Sequence, residues 1–152
     1  MNIINRILGK YNRIRVRQQF IRNGNWIGKD TTLYHPENIQ LGENTYINGG
    51  RFFASPNAKI IIGKNCLISY DVHMRTDMHN YKKKDSLILE QGHREASIII
   101  EDDCWIGYGA QIMAGVHIAK GCVIAAGAVL TKNTGEYEVW GGIPAKKIGI
   151  RE

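Results

Sequence analysis

Large aliphatic residues recur every six positions along the second half of the chain. Between residues 106 and 130 they stand at Ile106, Ile112, Ile118, Ile124 and Leu130. An α-helix repeats near 3.6 residues and a half-buried strand repeats at 2, so neither period explains this spacing. Counting outward in the same frame finds further units that begin at Ile62, Ile68, Met74 and Ile100.

A six-residue unit with inward first and fifth residues is typical of a short strand followed by a turn. Three such units close a triangle of eighteen residues. Stacked triangles lie about 4.8 Å apart and are joined by backbone hydrogen bonds. One unit cannot bury its apolar face alone, so neighbouring coils must cover it. The pattern therefore predicts an all-β solenoid of about five coils, in which each buried first residue contributes roughly 1.5–3 kcal/mol.

The period is weaker upstream and slips in three places. The upstream first residues are Ile21, Ile27, Leu33, Leu41, Ile47 and Phe53. Each slip predicts a loop extruded from the solenoid. The longest, at about residues 80–97, is expected to be functional or mobile, as loops of that length inside a compact domain usually are. The solenoid domain is accordingly assigned to residues 21–152.

Residues 1–20 are predicted to be a basic N-terminal cap segment. Apolar residues recur there at helical spacing, at Ile3, Ile4, Ile7, Leu8, Tyr11 and Ile14. An amphipathic helix of this kind could dock on a membrane surface. Covering the end of the solenoid is the preferred interpretation, because terminal coils need a cover. Short helices are thus expected at the ends of the chain.

Composition adds three constraints. A net charge of +6 on 152 residues makes an anionic partner plausible without selecting one. No apolar run approaches the roughly 20 residues that span a bilayer, and no signal peptide is evident, so a cytoplasmic protein is expected. Cys66, Cys104 and Cys122 occupy the same unit position one coil apart, which predicts a buried column of thiols rather than a reactive site.

The repeat and three further segments resemble the hexapeptide-repeat acyltransferases. "IEDDCWIGYGAQIMAGVHIAKGCVIAAGAVLTK" is similar to the family's run of coils, "VWGGIPAKKIG" to its closing segment, and "HMRTDMHNY" to the segment that carries its histidine. The resemblance implies a left-handed parallel β-helix, although the general rule for parallel crossovers is right-handed. It also implies a homotrimer, with acetyl-CoA bound in a groove between subunits.

The same resemblance implies roles for particular residues. His79 would be the general base of a direct acetyl transfer, and Asn48 would help to stabilise the oxyanion. Acceptor contacts are expected at Asp77, Asn80 and Tyr81. Coenzyme contacts are expected at Trp105, which we predict at an outward corner, and at Tyr108, Ala125, Ala126, Lys132, Gly142, Pro144, Lys146 and Lys147. His117 could line the same groove but is favoured as a spectator.

The leading hypothesis is an acetyl-CoA-dependent O-acetyltransferase acting on a sugar or polysaccharide precursor. The alternative within the class is an N-acetyltransferase acting on an amino group of a nucleotide-linked sugar or a small molecule. Some β-helical proteins with this repeat are zinc carbonic anhydrases, and they resemble this chain in architecture only. Those sites need three converging histidines, and His73 and His79 have the wrong spacing. A non-catalytic scaffold is the fourth hypothesis. Neither a metal nor a nucleic-acid partner is expected.

Overall fold

Short strands and tight turns make up most of the protein. The computed structural model describes residues 14–15, 17–21 and 24–152. The strands are β1 (Trp26–Ile27), β2 (Thr31–Tyr34), β3 (Ile39–Leu41), β4 (Tyr46–Ile47), β5 (Gly50–Phe53), β6 (Ile60–Ile62), β7 (Leu67–Ile68), β8 (Val72–Arg75), β9 (Asp77–His79), β10 (His93–Glu95), β11 (Ile98–Ile100), β12 (Trp105–Ile106), β13 (Gln111–Ile112), β14 (His117–Ile118), β15 (Val123–Ile124), β16 (Val129–Leu130), β17 (Glu138–Gly142) and β18 (Ala145–Ile150). Two 3₁₀ helices lie at Pro36–Asn38 and Ile88–Glu90, and residues 14–15 and 17–21 are helical.

Three parallel sheets form the sides of a triangular prism. Side A contains β1, β4, β7, β12 and β15, extended by β17 and β18; side B contains β2, β5, β8, β13 and β16; side C contains β3, β6, β11 and β14. The chain passes from A to B to C in each of the first four coils, and the fifth coil has strands on sides A and B. The predicted all-β solenoid of five coils is therefore confirmed.

The six-residue period is the spacing between inward positions of successive sides. On side A, Ile106 is in register with Ile68 below it and Ile124 above it. All nine first residues from Ile62 to Leu130 are at most 1% exposed. The columns of stacked aliphatic side chains form one continuous core, because each coil covers the apolar face of the next.

Most of the turns between strands contain one residue with a positive φ. In seven of the nine units from Ile62 to Leu130 the fourth residue adopts a positive φ, at Asn65, Asp71, Asp103, Gly109, Gly115, Gly121 and Gly127. Glycine adopts this conformation without steric cost, and Asn and Asp tolerate it better than other residues. The residue types at this position thus explain why each strand stops after a few residues and turns a corner.

Two of the upstream predictions are wrong. Phe52, fully buried, points inward in place of Phe53, because β2 pairs with β5 through Leu33 and Phe52. Ile21 is helical and 53% exposed, while the adjacent Phe20 joins the core. In both cases the buried side chain lies one position before the predicted one. In a strand such as β5, a one-residue shift reverses which side chains face the core.

The three thiols form the predicted column. Cys66, Cys104 and Cys122 are all buried. The Sγ of Cys66 lies 3.1 Å from the carbonyl oxygen of Glu101, and the Sγ of Cys122 lies 2.9 Å from that of Gly135. A hydrogen bond with Cys66, together with burial, raises the pKa of the Cys104 thiol. These groups fill the core.

The longest interruption is a β-hairpin. After β8 the chain leaves side B, and β9 pairs antiparallel with β10 before β11 begins side C. Buried hydroxyls tie the base of the hairpin to the coil below, since the Oγ atoms of Ser55 and Thr76 are 2.8 Å apart. Glu95 accepts hydrogen bonds from the hydroxyl of Ser55 at 2.9 Å and the amide of Asn57 at 2.8 Å.

The two ends of the solenoid are closed differently. At the first coil, Phe20 packs into the core, and Arg17 donates from Nη2 to the carbonyl of Ile27 at 2.7 Å. Of the predicted N-terminal helix over residues 1–20, residues 1–13 and 16 lie outside the described residues. The expected C-terminal helix is wrong, because β17 pairs with β15 and then with β18, which extends side A. Within the described residues, no helix combines the length and the apolar character that are needed to cross a bilayer.

Candidate active site

The hairpin carries a cavity of about 350 Å³. Its lining residues are His79, Asn80, Tyr81, Lys82, Lys83, Gln91 and Arg94. The sequence singled out the first three of these and left the rest of the loop unassigned. The two strands of the hairpin bring residues that are more than ten positions apart in sequence to one surface.

Two imidazoles lie together at the top of the paired strands. His79 is opposite His93 in the antiparallel register, and their ring centroids are 4.1 Å apart at an interplanar angle of 42°. Both side chains are exposed, so both can meet a ligand. The sequence did not indicate a role for His93. The segments "DMH" and "HRE" at the two ends of the loop could have indicated one, because they can pair as antiparallel strands.

The three predicted acceptor contacts have different surroundings. Asn80 donates from its amide nitrogen to Gly92 and from Nδ2 to Gln91, both at 3.0 Å, so it holds the loop in place. Tyr81 is 64% exposed and lines the cavity. Asp77 lies outside the lining and forms an ion pair with Arg75 at 2.8 Å; that hydrogen bond lowers the pKa of the Asp77 carboxyl.

A single chain does not bring Asn48 and His79 together. Asn48 is half-buried in the turn from β4 to β5, where side A meets side B. His79 follows β8, at the edge where side B meets side C. The width of side B separates the two residues.

Several predicted coenzyme contacts cluster at the edge between sides A and B. Tyr108 lies in the turn from β12 to β13, and its carbonyl accepts from the amide of Gly127 in the next coil at 2.7 Å. Ala126 belongs to that same turn of the next coil. A hydrogen bond to the Asp71 carboxylate raises the pKa of the Tyr108 phenol, which keeps it protonated.

Trp105 lies beside this edge. It is in strand β12 on side A, in register with Val123 and 50% exposed. The predicted corner position is therefore wrong, because the turn begins two residues later at Gly107. The outward orientation is as predicted.

The C-terminal hairpin approaches the same edge from above. A Cβ on Gly141 would lie 3.4 Å from that of Ala125, and Gly141 pairs with Lys146 across the hairpin. Gly142, with φ +98°, and Pro144 form its turn. Lys132 is exposed after β16. The fold thus places Ala125 and Lys146 near one another.

Glu138 organises the base of that hairpin. Its carboxylate meets Lys147 at 2.9 Å and accepts from Trp140 Nε1 at 2.8 Å and from the amide of Gly135 at 2.6 Å. The bonds from Lys147, Gly135 and Trp140 lower the pKa of Glu138 to about 2. Lys147 is therefore held by an internal partner, whereas Lys146 forms no ion pair with any residue in the described ranges.

The remaining histidines are apart from the cavity. His117 lies on side C, with Nε2 2.7 Å from the Glu101 carboxylate. His73 lies on β8, with its ring 5.6 Å from that of Phe53. Within residues 14–15, 17–21 and 24–152 of one chain, no group of three His, Cys, Asp or Glu side chains is placed to hold a metal ion.

A solenoid of six-residue units with a histidine-bearing hairpin defines the class of hexapeptide transferases. Residues 97–132 match the family described as "Bacterial transferase hexapeptide (six repeats)". The "Probable macrolide acetyltransferase" of Lysinibacillus sphaericus is 30% identical over 125 residues, covering 72% of this chain and 69% of that protein. The chain belongs to the hexapeptide-repeat acetyltransferase family.

Two further likenesses agree with this assignment. The "Putative acetyltransferase YJL218W" of Saccharomyces cerevisiae is 38% identical over 112 residues, which are 73% of this chain but 55% of that protein, so the chain spans about half of its length. The crystal structure of a maltose O-acetyltransferase from Clostridium difficile 630 superposes with a TM-score of 0.76 at 26% identity, covering 90% of this chain and 75% of that one. The fold is thus the left-handed β-helix of these acetyltransferases.

Proposed function

We propose that the protein transfers an acetyl group from acetyl-CoA to a hydroxyl group of a sugar or polysaccharide precursor, with His79 as the general base. The single observation that carries the proposal is His79 itself, an exposed imidazole that lines the hairpin cavity of an acetyltransferase fold. A histidine titrates near neutral pH and can accept a proton from a hydroxyl group. The likeness to a maltose O-acetyltransferase favours a sugar hydroxyl as the acceptor.

The proposed reaction is a direct transfer. An imidazole nitrogen of His79 takes the hydroxyl proton as the acceptor oxygen attacks the thioester carbonyl. The tetrahedral intermediate collapses, the C–S bond breaks, and the imidazolium returns the proton to the departing thiolate. No acyl-enzyme is needed, which agrees with the burial of all three cysteines. Main-chain amides and Asn48 would hold the oxyanion.

The proposed active site is shared between subunits of a homotrimer. Within one chain, His79 and the candidate coenzyme edge at Tyr108 lie on opposite edges of side B. A C3 trimer of prisms would bring the hairpin edge of one subunit against the coenzyme edge of the next. That arrangement would also unite Asn48 with a neighbouring His79.

A thiol-release assay with acetyl-CoA and a panel of sugars tests the chemistry. We expect His79→Ala to lower kcat by about 10²- to 10⁴-fold. His117→Asn is the matched control, since it removes a partly exposed imidazole elsewhere on the surface. Equal activity of His79→Ala and the wild type would overturn the assignment.

Hybrid trimers test the shared site. His79→Ala and Trp105→Arg should each be inactive alone, because the first removes the base and the second obstructs the coenzyme edge. Refolded together, they form some seams with an intact His79 from one chain and an intact Trp105 from the other. We expect activity to return in the mixture and a native mass three times 17.1 kDa. An inactive mixture of correctly assembled hybrids would mean that each chain carries its own site.

The N-acetyltransferase alternative rests on the same base and coenzyme. Amino sugars in the same assay distinguish the two, since an N-acetyltransferase would acetylate glucosamine and leave neutral sugars unchanged.

A further inference from the structure

The cavity beside His79 is lined by cations. Lys82, Lys83 and Arg94 are among its seven lining residues, and the lining contains no carboxylate. No ion pair of the described chain involves any of the three. A cavity of this composition attracts anionic groups.

Two carboxylates of the same hairpin have partners outside the cavity, and the other two lie outside its lining. Asp77 is bound by Arg75, and Glu95 accepts hydrogen bonds from Ser55 and Asn57 at the base of the hairpin. Asp85 and Glu90 lie in the loop but outside the cavity lining. The positive charge of the cavity is therefore not balanced by its nearest acidic neighbours.

Two of the cations are held by the local structure. The Gln91 side chain accepts from the amide of Lys83 at 3.1 Å and donates to its carbonyl at 2.8 Å, which anchors the backbone of Lys83. Arg94 lies on β10, in register with Met78 and one residue from His93. The cations are thus carried by an ordered hairpin and not by a loose tail.

The phosphates of the coenzyme do not account for these cations. Acetyl-CoA carries its thioester and its phosphates at opposite ends of the pantetheine arm. If His79 meets the thioester, cations around His79 face the acceptor.

We propose that the acceptor carries a carboxylate or phosphate group, bound by Arg94, Lys82 and Lys83 beside His79. The inference rests on the function proposed above and specifies its substrate class. Arg94 can bind either anion through two parallel N–H donors, and the lysines add point charges. The acceptor is then an acidic sugar or a sugar phosphate, including a nucleotide-linked sugar.

Four acceptors that share one hexose ring test the proposal. They are methyl β-D-glucoside, methyl β-D-glucuronide, glucose 1-phosphate and UDP-glucose. We expect kcat/KM for at least one anionic acceptor to exceed that for the neutral glucoside by about tenfold or more. The glucuronide separates recognition of a carboxylate from recognition of a phosphate, and UDP-glucose tests whether a nucleotide is accepted.

Charge-removing variants assign the effect to the cavity. Arg94→Gln and the double variant Lys82→Gln/Lys83→Gln should each reduce the preference for the anionic acceptor by about tenfold. Lys84→Gln is the matched control, because Lys84 is the adjacent lysine and does not line the cavity. It should leave the preference unchanged. An unchanged KM for acetyl-CoA would show that the coenzyme site is intact.

The two proposals fail in different ways. If His79→Ala abolishes transfer while the wild type prefers the neutral glucoside, the anionic acceptor is wrong and the acetyltransferase stands. If both charge-removing variants keep the preference for the anionic acceptor, the inference is also wrong. If the wild type acetylates none of the four, calorimetry decides: the anionic sugars must bind more tightly than the glucoside, and equal or absent binding overturns the inference.

Discussion

The ring of His93 lies 4.1 Å from the ring of His79, centroid to centroid, across the paired strands of the hairpin. The contact joins the proposed base to a residue fourteen positions away in sequence. Contact between ring faces restricts the orientation of both side chains. We therefore expect His93 to act as a positioning residue for His79.

Replacing His93 tests this relationship. We expect His93→Ala to lower kcat about tenfold, because the His79 ring loses the surface that orients it. His93→Phe should recover most of the loss, since a phenyl ring offers a similar surface. Steady-state kinetics should place the effect on kcat, with an unchanged thermal midpoint because both rings are exposed. Equal losses in Ala and Phe would show that the imidazole nitrogens of His93 are needed instead.

Lys146 is the lysine of β18 that we expect to contact the coenzyme, because the adjacent Lys147 is paired with Glu138. Lys146 is exposed and pairs with no acidic residue among those described, so it is available for a coenzyme phosphate. Lys146→Gln should raise the KM for acetyl-CoA by up to about fivefold without changing kcat, since an exposed ion pair contributes about 0.2–1 kcal/mol. Dephospho-CoA thioesters identify which phosphate is involved. An unchanged KM would exclude Lys146 from the coenzyme site.

Glu138 makes the stability of the fold depend on pH in the acid range. Its pKa is about 2 in the folded protein against an ordinary value of 4.5, through its bonds with Lys147, Gly135 and Trp140. A lowered pKa stabilises the fold above pH 4.5, and this contribution is lost as the pH falls from about 4.5 to about 2. Glu138→Gln should therefore lower the thermal midpoint at pH 7, and the difference from the wild type should shrink across that range.

Thermal unfolding at several pH values measures the effect. Glu136→Gln is the control, because Glu136 is an exposed carboxylate two residues away without these contacts. A constant difference between Glu138→Gln and the wild type from pH 7 to pH 2 would contradict the assignment.

Gly107 is needed for the close approach of two coils. A Cβ there would lie 2.6 Å from the amide nitrogen of Ala126 and 2.8 Å from the carbonyl oxygen of Ile124. Gly107→Ala should lower the free energy of unfolding by about 1–3 kcal/mol, because the backbone must shift. Gly149→Ala is the control, since its nearest neighbour would be Val139 at 3.8 Å. Chemical denaturation of both variants measures the difference, and equal stability would contradict the prediction.

Much of the solenoid could be predicted because its period is local. From Ile100 to Leu130 the first residue of each unit lies six positions after the first residue of the unit before it, so counting alone identifies this part of the core. The count fails at Phe53 and Ile21, where one residue more or less changes the face that is buried. It fails again at the C-terminus, where pairing with the distant β15 decides that β17 is a strand.

The residues of the candidate site could also be predicted only in part. His79 was found through a motif in contiguous sequence, whereas His93, Gln91 and Arg94 became visible only when β9 and β10 paired. The separation of Asn48 and Tyr108 from His79 also depends on the path of the chain around the prism. The sequence by itself determined the coil, because a six-residue unit meets its own copies above and below. Tertiary structure decided the cavity, because antiparallel pairing brings together side chains whose order along the chain does not show that they meet.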